Sequence, residues 1–314
     1  MGLTEEGLLY VPGLASRWVR LTSGARAHYV TSGDTGPAVV LLHGGINGSS
    51  GTAGWRFMAT FLGANGFRVY CPDQPGYGLS ETRGGFMSHP GRLGIVQFIK
   101  EFTEALCLDT FHLGGNSMGC NNAVQFAMEY PGRIISLALI AGSIGDLTIW
   151  PSVPDNIRPP YNGTEEGMRK MMESIIFAKG AISPDLIAMR TLAANKQLAA
   201  QKGSRTERER LTDDANLRQK LSTKGRFDNL EIPGIYLYGR QDPRPVENGY
   251  AQEDLLPHIQ FFYPEQCGHQ GQTDQPEMFN QVFLEFFRDG KVGRNTADWA
   301  GVSTRRPENP DLVE

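Results

Sequence analysis

A five-residue bend, Gly115-Asn116-Ser117-Met118-Gly119, limits the folds open to this chain more than anything else in it. The apolar run before it, Thr110–Gly114, reads as a strand, and Met118–Glu129 reads as a helix. A strand that becomes a helix across one residue brings the two elements so close that a Cβ on either flank would collide. Glycine at both flanks answers that demand, and the residue between them is forced into a strained backbone conformation. Its hydroxyl is lifted clear of the sheet and stands at a helix N-terminus, where the dipole favours developing negative charge. A serine that only caps a helix needs no such pair of glycines. Ser117 therefore reads as a nucleophile.

The rest of the chain supplies the sheet such a bend requires. Strand candidates are Arg26–Thr31, Ala38–His43, Arg68–Pro72, Thr110–Gly114, Ile135–Ala141, Gly234–Tyr238 and Ile259–Tyr263. Several, such as AVVLLH and SLALIAG, are continuous apolar runs, as expected of strands covered on both faces. Helix candidates alternate with them: Trp55–Ala64, Leu93–Cys107, Met118–Glu129, Glu247–Leu255 and Pro276–Phe287. This alternation predicts an α/β fold, a mostly parallel sheet flanked by helices. The core takes residues 1–145 and 230–290. Residues 146–229 contain no strand pattern; they open Pro-rich and continue helical and charged, which predicts a helical cap over the carboxyl edge of the sheet. The polar tail, 291–314, is expected to dock loosely and carries no functional assignment.

A serine hydroxyl needs a base, and the base needs an orienting acid. On a sheet of this kind the chain order is Ser, then Asp or Glu, then His. Of the six histidines, only His258 and His269 follow Ser117. His258 stands just before the last strand, whereas His269 lies in the loop after it, at the edge where the bend opens. His269 is the expected base. Asp242, in GRQDPRP after the strand Gly234–Tyr238, is the expected acid, with Asp146 as the runner-up. The backbone N–H of Met118 supplies one oxyanion donor. The glycine loop after the second core strand, HGGINGSSG, supplies the other, from Gly45 first and Ile46 second. His43 is expected to brace that loop.

Other chemistries have little support. The net charge is −4 with no basic stripe, so nucleic acid is not an expected partner. No run approaches the roughly 20 apolar residues that span a bilayer. The opening MGLTEEGLLY lacks the basic and apolar regions of a signal peptide, and Glu6 stands where myristoylation wants Ser or Thr. A cytoplasmic protein without a membrane partner is expected. Cys71, Cys107, Cys120 and Cys267 have neither zinc nor redox spacing and read as reduced and mostly buried. No metal or cofactor motif is present: the glycine loop lacks the Lys-Ser/Thr ending of a phosphate loop.

Taken together, HGG at His43, DQPGYGLS at Asp73–Ser80, the serine bend, GRQD and CGH resemble the α/β-hydrolase fold family across about Arg26 to Phe287. GNSMG with FAMEYPGRI, AISPDLIAMR and QCGH further resemble the meta-cleavage product hydrolases. Those enzymes cleave a C–C bond in dienol diketo acids of aromatic catabolism. The resemblance implies a small-molecule substrate bearing a carboxylate, held by Arg190 of the cap. It also implies that Gly44, Asn116 and Gln270 contact the substrate. From the residues themselves, Arg190 falls on one helical face with Leu186 and Ile187, where a cation needs an anionic partner; a bound carboxylate or a cap acid would serve. The family's usual tryptophan after the histidine is Gln270 here, its glycine loop differs, and Phe57 replaces a polar contact. An ester or lactone substrate is the alternative, and a ligand-binding role is a third. A homodimer is compatible with the resemblance, although nothing in the sequence sets the oligomeric state.

Overall fold

The computed structural model describes residues 2–81, 91–144, 158–201 and 214–314. Eight strands form one sheet: β1 (Ala15–Arg20), β2 (Arg26–Ser32), β3 (Ala38–Leu42), β4 (Arg68–Pro72), β5 (Phe111–Asn116), β6 (Ile134–Ile140), β7 (Gly234–Leu237) and β8 (Ile259–Phe262). Their order is β1-β2-β4-β3-β5-β6-β7-β8. β1 and β2 pair antiparallel, as do β2 and β4; every later pair is parallel. β3, β5, β7 and β8 are buried along their whole length, which is why they read as unbroken apolar runs. β1 escaped the sequence reading because ASRWVR is an edge strand, half-exposed and polar.

Helices cover both faces: α1 (Gly51–Ala64), α2 (Arg92–Ala105), α3 (Met118–Glu129), then after the cap α7 (Glu247–Leu255), the single turn α8 (Gly271–Asp274), α9 (Pro276–Asp289) and α10 (Arg294–Trp299). Two apolar layers result. One joins α1 and α9 to the sheet through Trp55, Met58, Leu62, Phe279 and Phe283. The other joins α2 and α3 to the opposite face through Ile99, Phe102, Val124 and Phe126. Within residues 146–229 the described part carries α4 (Glu165–Glu173), α5 (Pro184–Gln201) and α6 (Ala215–Leu221) and no strand. The Ser183 hydroxyl accepts from Leu186 N at 3.1 Å, the cap expected before Pro184. A small methionine- and isoleucine-rich core, with Met168, Met172, Ile176 and Ile187, holds α4 and α5 together, and Ile46 of the glycine loop packs against it.

The tail corrects an expectation. It is firmly docked: Val302 bridges antiparallel to Phe262, and Val292 pairs with Val313. Tyr263 N donates to Gly301 O at 2.7 Å, and Ser303 N to Phe261 O at 2.9 Å, so the tail covers the free edge of β8. Arg305 and Arg306 clamp it to Glu253, a carboxylate 1 % exposed that also accepts from Tyr263 Oη at 2.7 Å. The polar composition that suggested looseness is a set of ion pairs closing over an otherwise bare edge. Glu253→Ala should lower stability by about 2 kcal/mol in urea denaturation, because it removes the carboxylate that Arg305 and Arg306 share and leaves the buried Tyr263 hydroxyl without its acceptor. It should also speed proteolysis of the tail.

Candidate active site

The bend at Ser117 has the strain its sequence demands. Ser117 sits at φ 56°, ψ −116°, left-handed backbone that a non-glycine residue adopts only under constraint. A Cβ on Gly119 would lie 2.1 Å from Leu42 O, and one on Gly115 would lie 2.4 Å from Gly119 C. The glycines are what lets α3 leave β5 this sharply. Met118 opens α3, so its N–H points from the helix start beside the hydroxyl.

The histidine loop reaches the same edge from β8. His269 Nδ1 is 2.6 Å from Asp242 Oδ2, both side chains buried. The ionised carboxylate only accepts, so Nδ1 carries the proton and Nε2 is left as the basic nitrogen. Nε2 is buried and has no hydrogen-bond partner. Asp242 is held in turn by Arg244 N, which donates to Oδ1 at 2.9 Å. Burial alone would raise the Asp242 carboxyl; His269 and Arg244 outweigh it and keep it below the ordinary aspartate value. Burial pushes His269 below the ordinary histidine value against the pull of Asp242, and the Arg244 and Arg158 cations add to the lowering. Asp146, the alternative acid, lies outside the described residues.

Asn116 fastens the two loops together. Its Nδ2 donates to Ile140 O at 3.2 Å and to His269 O at 3.0 Å, so both amide protons are committed and only Oδ1 is left to meet another group. Two carbonyl neighbours fix this amide orientation. The segment between α4 and α5 fastens the histidine loop. His269 N donates to Ile175 O at 2.8 Å. Asp274 accepts from Gly268 N at 2.7 Å and Ala178 N at 2.9 Å. Burial lifts the Asp274 carboxyl to about 6. Gln270 is buried and opens α8.

The glycine loop closes the third side. A Cβ on Gly44 would lie 3.4 Å from Ser117 Cβ and 3.3 Å from Asn116 Oδ1, so this backbone runs directly past the serine. Gly45 packs against Met118, and its carbonyl accepts from Tyr77 Oη at 2.9 Å. Ile46 O accepts from Ser49 N at 3.1 Å, which turns the loop into α1. His43 braces the loop as expected: Gln74 N donates to its Nε2 at 2.9 Å and Gln74 Nε2 to its carbonyl. Asp73 accepts from Gly51 N at 2.7 Å while pairing with His28 at 2.7 Å, which anchors the start of α1. The cysteines are all free; Cys71, Cys120 and Cys267 are buried and Cys107 is exposed.

Arg190 is 1 % exposed. Its Nη2 is 3.5 Å from Asn47 O and 3.4 Å from Ser49 Oγ, both on the glycine loop, and its Nε has no partner. Burial lowers its pKa to about 9, with Arg56 adding to the effect, so it remains a cation at neutral pH. Arg56 was missed by the sequence reading. A charged residue inside the apolar run GTAGWRFMATFLGA was the available signal, the same one that picked out Arg190.

With this geometry in view, comparison with known proteins is informative. The α/β hydrolase fold family model matches residues 37–276. The chain belongs to that family and is an enzyme of it. A 2-hydroxy-6-oxononadienedioate/2-hydroxy-6-oxononatrienedioate hydrolase of Paraburkholderia phymatum is 29 % identical over 292 residues, covering 90 % of this chain and 98 % of the relative. A 2-hydroxy-6-oxo-6-phenylhexa-2,4-dienoate hydrolase of Burkholderia cepacia is 27 % identical over 275 residues, covering 85 % and 93 %. Among solved structures, a variant of the meta-cleavage product hydrolase CumD from Pseudomonas fluorescens IP01 superposes with TM-score 0.74 at 22 % identity, covering 87 % of this chain and 98 % of that one. The resemblance carried by the motifs is therefore borne out.

His269 should titrate below 6.5 when its ring signals are followed by NMR. Asp242→Asn should move that titration lower still, since the carboxylate is the group that favours the imidazolium.

Proposed function

We propose that this chain is a cytoplasmic serine-dependent hydrolase that cleaves a C–C bond in a 2-hydroxy-6-oxo-dienoate, the class of acid named for its relatives. The observation that carries this reading is Arg190, a fully buried guanidinium beside the glycine loop with an unpartnered Nε and no carboxylate in ion-pair reach among the described residues. A buried cation without a counter-ion is costly, and a substrate carboxylate in that place removes the cost.

The proposed roles follow from the geometry. Arg190 takes the C1 carboxylate. His269 Nε2 is the base, oriented by Asp242, and helps the dienol become its keto form with a proton added at C5. Ser117, or a water activated by His269, adds to the C6 carbonyl. The backbone N–H groups of Met118 and Gly45, with Ile46 as the second choice in the loop, receive the oxyanion. The C5–C6 bond then breaks, and its electron pair runs through the conjugated carbons to the C2 oxygen as a dienolate. Protonation of that dienolate gives a 2-hydroxypentadienoate. Water supplies the oxygen of the second product, a carboxylic acid, directly or by hydrolysing an acyl-Ser117. Gly44, Asn116 Oδ1 and Gln270 are assigned to substrate contact.

An ester or lactone substrate would use the same serine, histidine and aspartate. Gln270, in place of the family's tryptophan, is the residue that favours this second reading. The two separate in one assay. Wild type should bleach a yellow 2-hydroxy-6-oxo-dienoate faster than it cleaves a p-nitrophenyl ester. Ser117→Ala should slow bleaching by about 10³-fold or more, the scale lost when a nucleophile is removed. Ester turnover without bleaching would exclude C–C cleavage and leave the esterase reading.

A further inference from the structure

Arg190 is not the only buried cation at the start of α1. Arg56 is 6 % exposed, stacks over Phe57 with its guanidinium carbon 4.2 Å from the ring centroid, and donates from Nη1 to Ala53 O at 2.9 Å. Burial alone lowers its pKa to about 10, which leaves it charged. No carboxylate among the described residues forms an ion pair with Arg56 or Arg190.

The two cations come from different elements, Arg56 from α1 and Arg190 from α5. α5 meets the glycine loop just before α1, where a Cβ on Gly48 would lie 2.2 Å from Arg190 O, and its Leu186 and Met189 belong to the same apolar cluster as Trp55, Met58 and Ala59. One turn beyond Leu186, Arg190 reaches Asn47 O and Ser49 Oγ. Arg56 folds back onto the first turn of α1, at Ala53. Both cations therefore contact residues 47–57, and the charge of Arg56 adds to burial in lowering Arg190. Polar atoms with no protein partner surround this turn: Arg190 Nε, Thr52 Oγ1, Trp55 Nε1 and Gln272 Oε1. Gln272 belongs to this turn because its Nε2 lies 3.4 Å from Gly54 O. One carboxylate balances one of these cations. Two unpaired cations in one buried corner call for a ligand with two negative charges on neighbouring oxygens.

We propose that Arg56 is a second anion-binding residue of this site, and that Arg56 and Arg190 together hold a planar dianion whose charged oxygens sit on adjacent carbons. This rests on the C–C hydrolase reading for its biological ligand. There the C1 carboxylate is joined, as C5–C6 breaks, by negative charge on the neighbouring C2 oxygen. Arg190 takes the carboxylate, which is charged throughout. Arg56 takes the C2 oxygen, which becomes charged only as the bond breaks, so its contribution is greatest in the transition state. An ester substrate develops no such second charge.

The test uses oxalate, a planar dianion with charged oxygens on adjacent carbons, against propanoate, a single carboxylate. Binding is measured by calorimetry on wild type and on Arg56→Met, Arg56→Lys and Arg190→Met. Wild type should bind oxalate at least 30-fold more tightly than propanoate. Arg56→Met should weaken oxalate at least 10-fold and propanoate less than 3-fold. Arg56→Lys should restore part of the oxalate affinity, and Arg190→Met should weaken both ligands. Removing a buried, unpaired cation should leave the melting temperature of Arg56→Met no lower than wild type. If oxalate binding survives Arg56→Met, or if both ligands weaken equally, the proposal is overturned. These arms do not depend on turnover. Arg56-dependent oxalate binding in a protein that fails to bleach the dienoate would keep the dianion site and remove the C–C reading.

Discussion

The close crossing of α3 over the ends of β3 and β5 is the contact on which the rest of this site depends. At 2.1 Å from Leu42 O there is no room for a Cβ on Gly119, and the chain accepts a strained Ser117 in exchange for that approach. Such strain persists only where the surroundings over-determine it. Here the surroundings are two strands buried along their whole length and a helix packed on both by Cys120, Ala123 and Val124. The same crossing sets the serine against Gly44 and Met118 against Gly45. Hydroxyl, helix N-terminus and glycine loop are thus placed by one piece of packing.

Around that fixed point, the movable parts are tied by polar bonds. Asn116 links the serine bend to the histidine loop, Asp274 links the histidine loop to Ala178 between α4 and α5, and Arg190 links α5 to the glycine loop. Gly48 N adds a bond to Gln197 of α5 at 3.2 Å. Each tie joins two of the three walls, so displacing α5 and the segment before it would disturb both the histidine loop and the glycine loop. The electrostatics of the site are lopsided. Asp242 is compensated by His269 and Arg244, whereas no acid among the described residues pairs with Arg56 or Arg190.

Much of this was legible in the sequence because each signal had a local cause. Seven of the eight strands were expected from the sequence, several of them as apolar runs, and the eighth, β1, was hidden by its exposure at the sheet edge. Ser117, Asp242 and His269 could be picked out by chain order, and the contact between Asp242 and His269 agrees with that choice. The pieces that could not be read are those made by long-range pairing of polar residues. The tail looked loose because its anchors, Arg305 and Arg306, mean nothing without Glu253, some fifty residues earlier. Arg56 could be noticed as a charge inside an apolar run, but its burial could not be read from the sequence. Asn116 stood out as a substrate contact, yet its amide protons are spent holding the architecture.

The chemistry turns on whether the substrate's carbon chain is cut. The direct measurement is mass spectrometry of the products formed from a 2-hydroxy-6-oxo-dienoate in H₂¹⁸O. C–C hydrolysis predicts two fragments whose formulas sum to the substrate plus one water, with ¹⁸O in the carboxylic acid and none newly bound in the 2-hydroxypentadienoate. Recovery of the intact carbon skeleton under conditions where the enzyme turns over an ester would contradict it.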